Sequence, residues 1–333
     1  MKKILFLIVD LCAFIYSRFI ILNLLLLSLT NKKFFYNHSL GFGDSICYYL
    51  HYYNKIRSSK QNIPLAFGGF HEKIVSFFFK KKKIIFFKIF SFMPYYRIAK
   101  YLIRSSHFKP IFNYKIDIST GLMKNDLLLI KNYDLIFKKI LEKKKISNKI
   151  KILTKKKYIC FFIKNYNNNI NDLSSNPACR QTVNFKKIEN ILLYLISKNF
   201  NIFILGDSKD RGTLIIKKKF KNLKNLYFLE NYKISLSEQI YIANKSSGFI
   251  GNQAGLIIPF ILLKKKTLVF DGCATPYIKN HTNLKHVHYI YKKIIINKKK
   301  FQLHSKFENY RKKYIILENS SSEIKKKINN IFL

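Results

Sequence analysis

Residues 248–272 read GFIGNQAGLIIPFILLKKKTLVFDG. GFIGNQAG (248–255) reads as a strand and its turn. A helix is expected over 256–263, with Pro259 near its start, and then a strand, TLVFDG, over 267–272. Strand, glycine-bearing turn, helix and strand make the repeating unit of a parallel α/β sheet. The spacing Gly248-x-x-Gly251-x-x-x-Gly255 lacks the G-K-[ST] of a phosphate-binding loop, and it is not the G-x-G-x-x-G of a dehydrogenase. It closes on a helix start, whose unpaired N–H groups could hold a diphosphate. The competing reading is that these glycines only let strand and helix pack tightly.

Upstream the same unit repeats. YICFFI (158–163) is the continuous apolar run of a buried parallel strand. A long polar loop, KNYNNNINDLSSNPACRQT (164–182), follows it. An amphipathic helix is expected over 183–198, with Ile188, Leu192 and Leu195 on one face. NIFILGD (201–207) and LYFLEN (226–231) are the next strands. A helix over 236–245 has Ser235 as its cap and Glu238 in a capping box. The sum is a doubly wound parallel sheet, in which ligands bind beyond the carboxyl ends of the strands. Arg180, Gly206, Asp207, Asn252, Gln253, Gly255, Asp271 and Gly272 fall there.

The first half repeats the theme more faintly. Phe34 and Phe35 lead to LGFGDSI, where Gly41 and Gly43 allow a tight turn and a helix starts near Ser45. Asp44 is either a functional carboxylate or an ordinary N-cap. A strand ending in Gly68-Gly69, a helix over 71–79 and the apolar run IIFFKIF follow, and a strand is read near 114–118. Residues 146–157 are polar and Lys-rich and read as a linker. The expected organisation is an apolar amino-terminal segment (1–33), a Rossmann-like domain (34–150), a second one (151–300), and a tail (301–333) with a helix over 321–332.

Residues 4–29, ILFLIVDLCAFIYSRFIILNLLLLSL, are long enough to cross a bilayer as a helix. Asp10 and Arg18 interrupt the run, and each is costly at mid-membrane. A signal-anchor, a helix in or against the membrane face and a helix packed on the protein are the three readings; membrane association is favoured. No small-x-small cleavage site follows the run.

Composition bounds the partners. The 333 residues carry 62 Lys+Arg against 17 Asp+Glu, a formal net charge of +45. Lys, Asn, Ile, Phe and Tyr abound and Trp is absent, the signature of A/T-rich codons, so much of the charge is genomic bias. The lysines form short runs (80–83, 143–145, 155–157, 264–266, 298–300) with no recognition motif, which disfavours nucleic acid. Attraction to an anionic membrane surface fits them better. A hydrophobic fraction of 48% rules out wholesale disorder. Cys12, Cys47, Cys160, Cys179 and Cys273 lie far apart with no C-x-x-C, so neither a zinc ribbon nor a disulfide framework is expected. A reducing, cytoplasmic compartment fits. In so biased a chain the 11 glycines and the few acids and arginines are the informative residues.

Two features together resemble a family. An early Gly-Asp at a strand-to-helix turn, Gly43-Asp44 in LGFGDSI, is the first. The second is the late strand, Gly-x-x-x-Gly turn, proline-bearing helix and strand of 248–272. With the block from YICFFI to NIFILGD, the order of motifs over about residues 36–275 is similar to bacterial GT-B glycosyltransferases of the heptosyltransferase-like and polysaccharide-cluster type. The resemblance implies a GT-B-like enzyme with two Rossmann-like doubly wound parallel-sheet domains facing a cleft. It implies a first half that binds a glycan or lipid-linked acceptor and a second that binds a nucleotide-diphosphate sugar. It makes Asp44 the general base of an inverting, metal-independent transfer, with no cofactor. Lys164, Arg180 and the Gly251 to Gly255 turn would face the diphosphate, with Gly41, Gly43, His38, Gly206, Asp207, Asn252, Gln253, Ala254 and Gly255 as further binding residues. Glu230 and Glu238 would be candidates for a ribose or sugar hydroxyl, with capping as the ordinary role of Glu238. His38 could serve as base instead; His71 lies near the same region, and both have ordinary structural readings. The resemblance places the protein in bacterial lipopolysaccharide or polysaccharide synthesis, at the cytoplasmic face of the inner membrane. Two departures stand out: Ala254 replaces a serine, and Lys164 replaces an arginine whose planar fork lysine lacks. The rival readings are a non-catalytic sugar-nucleotide or glycan-binding protein of the same fold and a basic membrane-surface or RNA-binding protein.

Overall fold

The computed structural model describes residues 2–30, 32–35, 42–56, 61–88, 97–98, 101–102, 132–164, 184–206, 210–273, 284–303 and 315–333. The chain divides into two compact units, Met1–Asn132 and Tyr133–Leu333.

The first unit begins with helix α1 (Lys2–Ser28), strand β1 (Lys33–Phe35) and helix α2 (Phe42–Ile56). Strand β2 (Asn62–Phe67), helix α3 (Phe70–Phe78) and strand β3 (Ile85–Phe87) follow. The three strands pair in parallel in the order β1-β2-β3. Alternation along a strand sends neighbouring side chains to opposite faces, and Phe34 and Phe35 show it. Phe34 joins Leu65 and Phe67 against Ala13, Ile20, Ile21 and Leu24 of α1. Phe35 stacks on Tyr52 of α2, ring centroids 4.2 Å apart, and meets Phe79 edge-on. Helices therefore cover both faces of this small sheet. Asp10 of α1 is paired with Arg97 (3.3 Å) and accepts from the Tyr101 hydroxyl, so its charge is compensated. The strand expected near 114–118 lies outside the described residues.

The second unit starts with helices α4 (Tyr133–Glu142) and α5 (Asn148–Leu153). The boundary therefore falls at 132/133 rather than at 150, and the Lys-rich stretch read as a linker contains α5. The reason is local: Lys264 pairs with Asp134 at 2.9 Å, and the Ser147 hydroxyl donates to Glu238 at 2.6 Å, so this segment is fastened to the second unit.

The main sheet is built from β4 (Tyr158–Phe162), β5 (Asn201–Ile204), β6 (Leu226–Phe228), β7 (Gly248–Gly251), β8 (Lys266–Gly272) and β9 (Val287–Tyr291). Helices α6 (Phe185–Ser197), α7 (Arg211–Phe220), α8 (Leu236–Lys245) and α9 (Ile258–Leu262) connect its first five strands. All six strands are parallel, in the order β6-β5-β4-β7-β8-β9. Numbered within the unit this is 3-2-1-4-5-6, the doubly wound order. Ile159 and Phe161 face a core shared with α6, while the Tyr158 hydroxyl on the other face donates to the Ile242 carbonyl of α8 at 2.6 Å. The sixth strand goes beyond the five expected. So does a small antiparallel sheet of β10 (Lys293–Ile296), β11 (Lys299–Gln302) and β12 (Ile315–Leu317), ordered β11-β10-β12.

The expected terminal helix is α10 (Ser321–Phe332). Ile324, Ile328, Ile331 and Phe332 sit in the same core as Ile188 and Leu192 of α6, so the tail is part of the second unit and not a separate segment. Likewise the segment 1–33 is no separate layer, because α1 supplies core to the first unit.

Candidate functional site

In a 3-2-1-4-5-6 sheet the chain changes direction of travel between strands 1 and 4, here β4 and β7. The loops leaving those two strands go to opposite faces and leave a crevice at their carboxyl ends. Register places the ends together: Phe161 is opposite Ile204, and Phe162 is opposite Gly251. The Leu205 N–H continues the ladder by donating to the Phe161 carbonyl at 2.9 Å, and the Asn252 N–H donates to the Phe162 carbonyl at 3.3 Å. Lys164, Gly206 and the 252–255 turn thus leave the sheet at one point.

Asn252 holds that point closed. Its side chain is fully buried. Its amide donates to the Lys164 carbonyl at 2.7 Å and accepts from the Lys164 N–H at 2.9 Å. Both backbone groups of Lys164 are satisfied by one side chain, which fixes where the polar loop after β4 begins. Gln253 ties the turn to the next strand by accepting from the Cys273 N–H at 2.9 Å. Ala254 is buried and Gly255 is exposed, opening a short 3-10 turn (Gly255–Ile257) into α9.

The glycines divide in role. A Cβ on Gly251 would lie 2.2 Å from the Phe162 carbonyl oxygen, so glycine is required for β4 and β7 to approach. Gly206 has φ +106, and a Cβ there would lie 2.2 Å from the Thr213 hydroxyl oxygen, which itself donates to the Leu205 carbonyl. Packing therefore requires glycine at both positions, in line with the second reading given for the glycines of 248–255. The helix after the turn is also shorter than expected. α9 has five residues, and the Ile257 N–H is spent on the Ala254 carbonyl. A helix this short adds no long dipole to the turn's own backbone N–H groups.

A second polar cluster lies at the end of β8. Asp271 is fully buried with φ +51, a left-handed conformation unusual for a residue with a Cβ. Asp271 and Asn319 hold each other: each backbone N–H donates to the other's side-chain oxygen at 2.7 Å. Lys187, in the first turn of α6, reaches Asp271 and also donates to Glu318 at 2.7 Å. Burial pushes the Asp271 carboxyl above the ordinary range, against the pull of Lys187 and Lys292. Sequence reasoning placed Asp271 at the strand ends but missed Lys187, Glu318 and Asn319. A signal existed for Lys187, which stands one turn before Ile191 on the apolar stripe of its helix.

The remaining candidates fall out as follows. Glu230 is bonded to Lys217 at 2.5 Å. Glu238 completes the capping box with Ser235 and accepts from Ser147, the ordinary role. These bonds outweigh its burial and hold its carboxyl below the usual range. Helix α2 begins at Phe42 and not near Ser45, so Asp44 stands inside the first turn and is not the N-cap. There a carboxylate is favoured by the helix dipole. Gly43 is buried beside it. The side chains of Asp44 and His71 lie outside the described residues, as do His38, Gly41, Arg180 and Asp207 entirely.

No protein-family model matches the sequence. No curated protein matches it either. Among solved structures the chain is similar to E. coli ADP-heptose LPS heptosyltransferase II, at 10% identity over 90% of this chain and 98% of that one, TM-score 0.45. A glycosyl transferase family 9 protein from Veillonella parvula is similar at 10% identity over 90% and 91%, TM-score 0.45. A Methanocaldococcus jannaschii UDP-GlcNAc 2-epimerase, solved with UDP-GlcNAc and UDP, is similar at 13% identity over 88% and 82%, TM-score 0.34.

Proposed function

We propose that this chain is a glycosyltransferase that moves a sugar from a nucleotide-diphosphate sugar to a glycan or lipid-linked acceptor. The observation that carries the reading is the doubly wound switch point, where Lys164, Gly206 and the Asn252 to Gly255 turn leave the sheet together. Crevices of this kind take phosphorylated ligands on exposed backbone N–H groups and basic side chains. Lys164 is half-buried there, and its backbone is locked by Asn252.

In this reading the acceptor hydroxyl attacks the anomeric carbon, and the bond to the nucleotide diphosphate breaks with its electron pair leaving on the phosphate. Lys164 and Arg180, with the turn's N–H groups, stabilise that departing charge without a metal. Asp44 takes the acceptor's proton, so one displacement inverts the anomeric centre. That role for Asp44 rests on the family resemblance; its backbone stands in the first turn of α2.

A thermal-shift screen against nucleotide-diphosphate sugars tests donor binding, because a ligand of the native state raises its stability. With the stabilising donor, Asp44→Asn is expected to lower transfer by roughly 10²–10⁴-fold while donor binding persists. Stabilisation by a donor with no turnover in the wild-type protein would leave the fold as a binding module. No donor stabilisation, together with salt-sensitive RNA affinity, would overturn the reading entirely.

A further inference from the structure

Helix α1 is largely apolar, and among the described residues only one side of it is covered. Its inner stripe, Ala13, Ser17, Ile20, Ile21 and Leu24, is buried in the first unit. Contacts with the body of that unit run along the helix. Arg97 donates to the Phe6 carbonyl at 3.2 Å and pairs with Asp10. Phe14 meets the Tyr101 ring edge-on, and the Tyr16 hydroxyl donates to the Lys88 carbonyl at 2.8 Å. On the opposite side Leu7, Leu11, Ile15, Phe19, Leu22 and Leu26 are each more than half exposed. Their spacing of three and four residues makes one continuous stripe. A helix with no polar face calls for apolar surroundings on both sides, and so large an exposed stripe marks a contact surface.

We propose that α1 is an in-plane membrane anchor, with its inner stripe built into the first unit and its outer stripe sunk into the acyl boundary of an anionic bilayer. A spanning orientation conflicts with the packing. Because the unit grips α1 from Phe6 to Leu24, crossing the bilayer would carry β1, β2 and the ends of their sheet into hydrocarbon, where such backbone cannot be satisfied. Arg18 points the same way. It is exposed in the middle of the helix, with its guanidinium 4.8 Å from the Phe14 ring centroid. At mid-bilayer that charge is costly, whereas in the interface it reaches lipid phosphates while its stem lies on apolar surface.

Charge selects the occupant. Lys80, Lys82, Lys83 and Lys88 of the same unit are exposed, and the only acids in residues 1–132 are Asp10, Asp44, Glu72, Asp117 and Asp126. An anionic surface is attracted to this unit. A second copy of a chain with net charge +45 is repelled by it.

The chain contains no tryptophan, so single replacements on the outer stripe report depth without background. Leu7→Trp, Ile15→Trp and Leu26→Trp variants of the full chain are mixed with phosphatidylcholine vesicles with and without phosphatidylglycerol. The expected result is flotation with the phosphatidylglycerol vesicles, and equal, shallow quenching of all three by brominated lipids. The combined Leu11→Ser, Ile15→Ser, Phe19→Ser and Leu22→Ser variant should lose vesicle binding at least tenfold, its exposed positions leaving the fold intact by circular dichroism. Deep quenching at position 15 with shallow quenching at 7 and 26 would mean a span and overturn the proposal. Failure to float, with a dimer formed by the wild-type chain and not by the serine variant, would also overturn it, in favour of self-association. Neither outcome bears on sugar transfer.

Discussion

The two units are made from the same few residue types and solve their interiors differently. In the first, Phe35, Tyr48, Tyr49 and Tyr52 form an aromatic cluster between the sheet and α2, and the buried polar side chains among the described residues are Ser17, Ser45 and Arg97. In the second, Lys187, Thr213, Asn252, Asp271, Lys292 and Asn319 are all buried, most of them at or beside strand ends. The difference follows from what must be satisfied. A parallel sheet of six strands leaves backbone groups at its carboxyl ends, and each needs a partner when no water reaches it. Asn252 and Asn319 are those partners. A crevice that binds a ligand has to be edged by such rigid, saturated backbone, so polar burial collects in the unit where the candidate site lies.

Removing one charge from the second unit should produce the largest effect. Lys187→Met keeps the stem and takes from the buried Asp271 carboxyl its hydrogen-bonded cation, leaving it Lys292 and the Asn319 N–H, at an expected cost of about 3–5 kcal/mol. Denaturant-dependent hydrogen exchange in peptides of the second unit measures it, and adding Asp271→Asn should recover part of the loss. A cost below about 1 kcal/mol, the worth of an exposed pair, would erase the contrast between the units.

A smaller loss is expected in the first unit. Phe35→Leu removes a stacked ring but leaves no orphaned polar atom, so about 1–2 kcal/mol is expected, read by exchange in β1 and α2. A loss as large as that of Lys187→Met would mean that aromatic packing is as exacting as the polar clamps.

The gentlest test is pH. Burial raises the Asp134 carboxyl, but Lys264 and Lys138 outweigh it and hold its pKa below the ordinary value. A depressed carboxylate contributes stability that is fully present above the unfolded-state value, about 4, and is lost as pH falls through the folded one. Lys264 is about half exposed, so the contribution stays under about 1 kcal/mol. Protection of α4 in Lys264→Met should match wild type near pH 2 and fall below it at pH 6; equal protection at both would remove this pair as the fastener of α4.

Much of the second unit was legible because buried parallel strands are written as unbroken apolar runs: YICFFI and TLVFDG each became a strand, and GFIGNQAG opened with one. The capping box at Ser235 was equally local. The boundary was not, since α5 looks like a basic linker until Ser147 is seen on Glu238. The same holds for the site. Asn252 and Asp271 stood out as rare polar residues beside strands, but their partners are remote: Lys164 lies 88 residues from Asn252, and Asn319 lies 48 from Asp271. The packing requirement at Gly251 was not legible either, because a turn glycine and a packing glycine are written identically.

Local pattern alone determined that this chain alternates strands and helices, that the strands of the main sheet are parallel and buried, and that residues 2–28 form an apolar helix. Those properties depend on neighbours a few residues apart, where periodicity and capping act. Only the tertiary structure decided which strand lies beside which, that Asn252 closes on Lys164, and that α1 gives one side to the core and leaves the other bare. These depend on contacts between residues remote in the chain, whose energy comes from groups that must find partners once water is excluded.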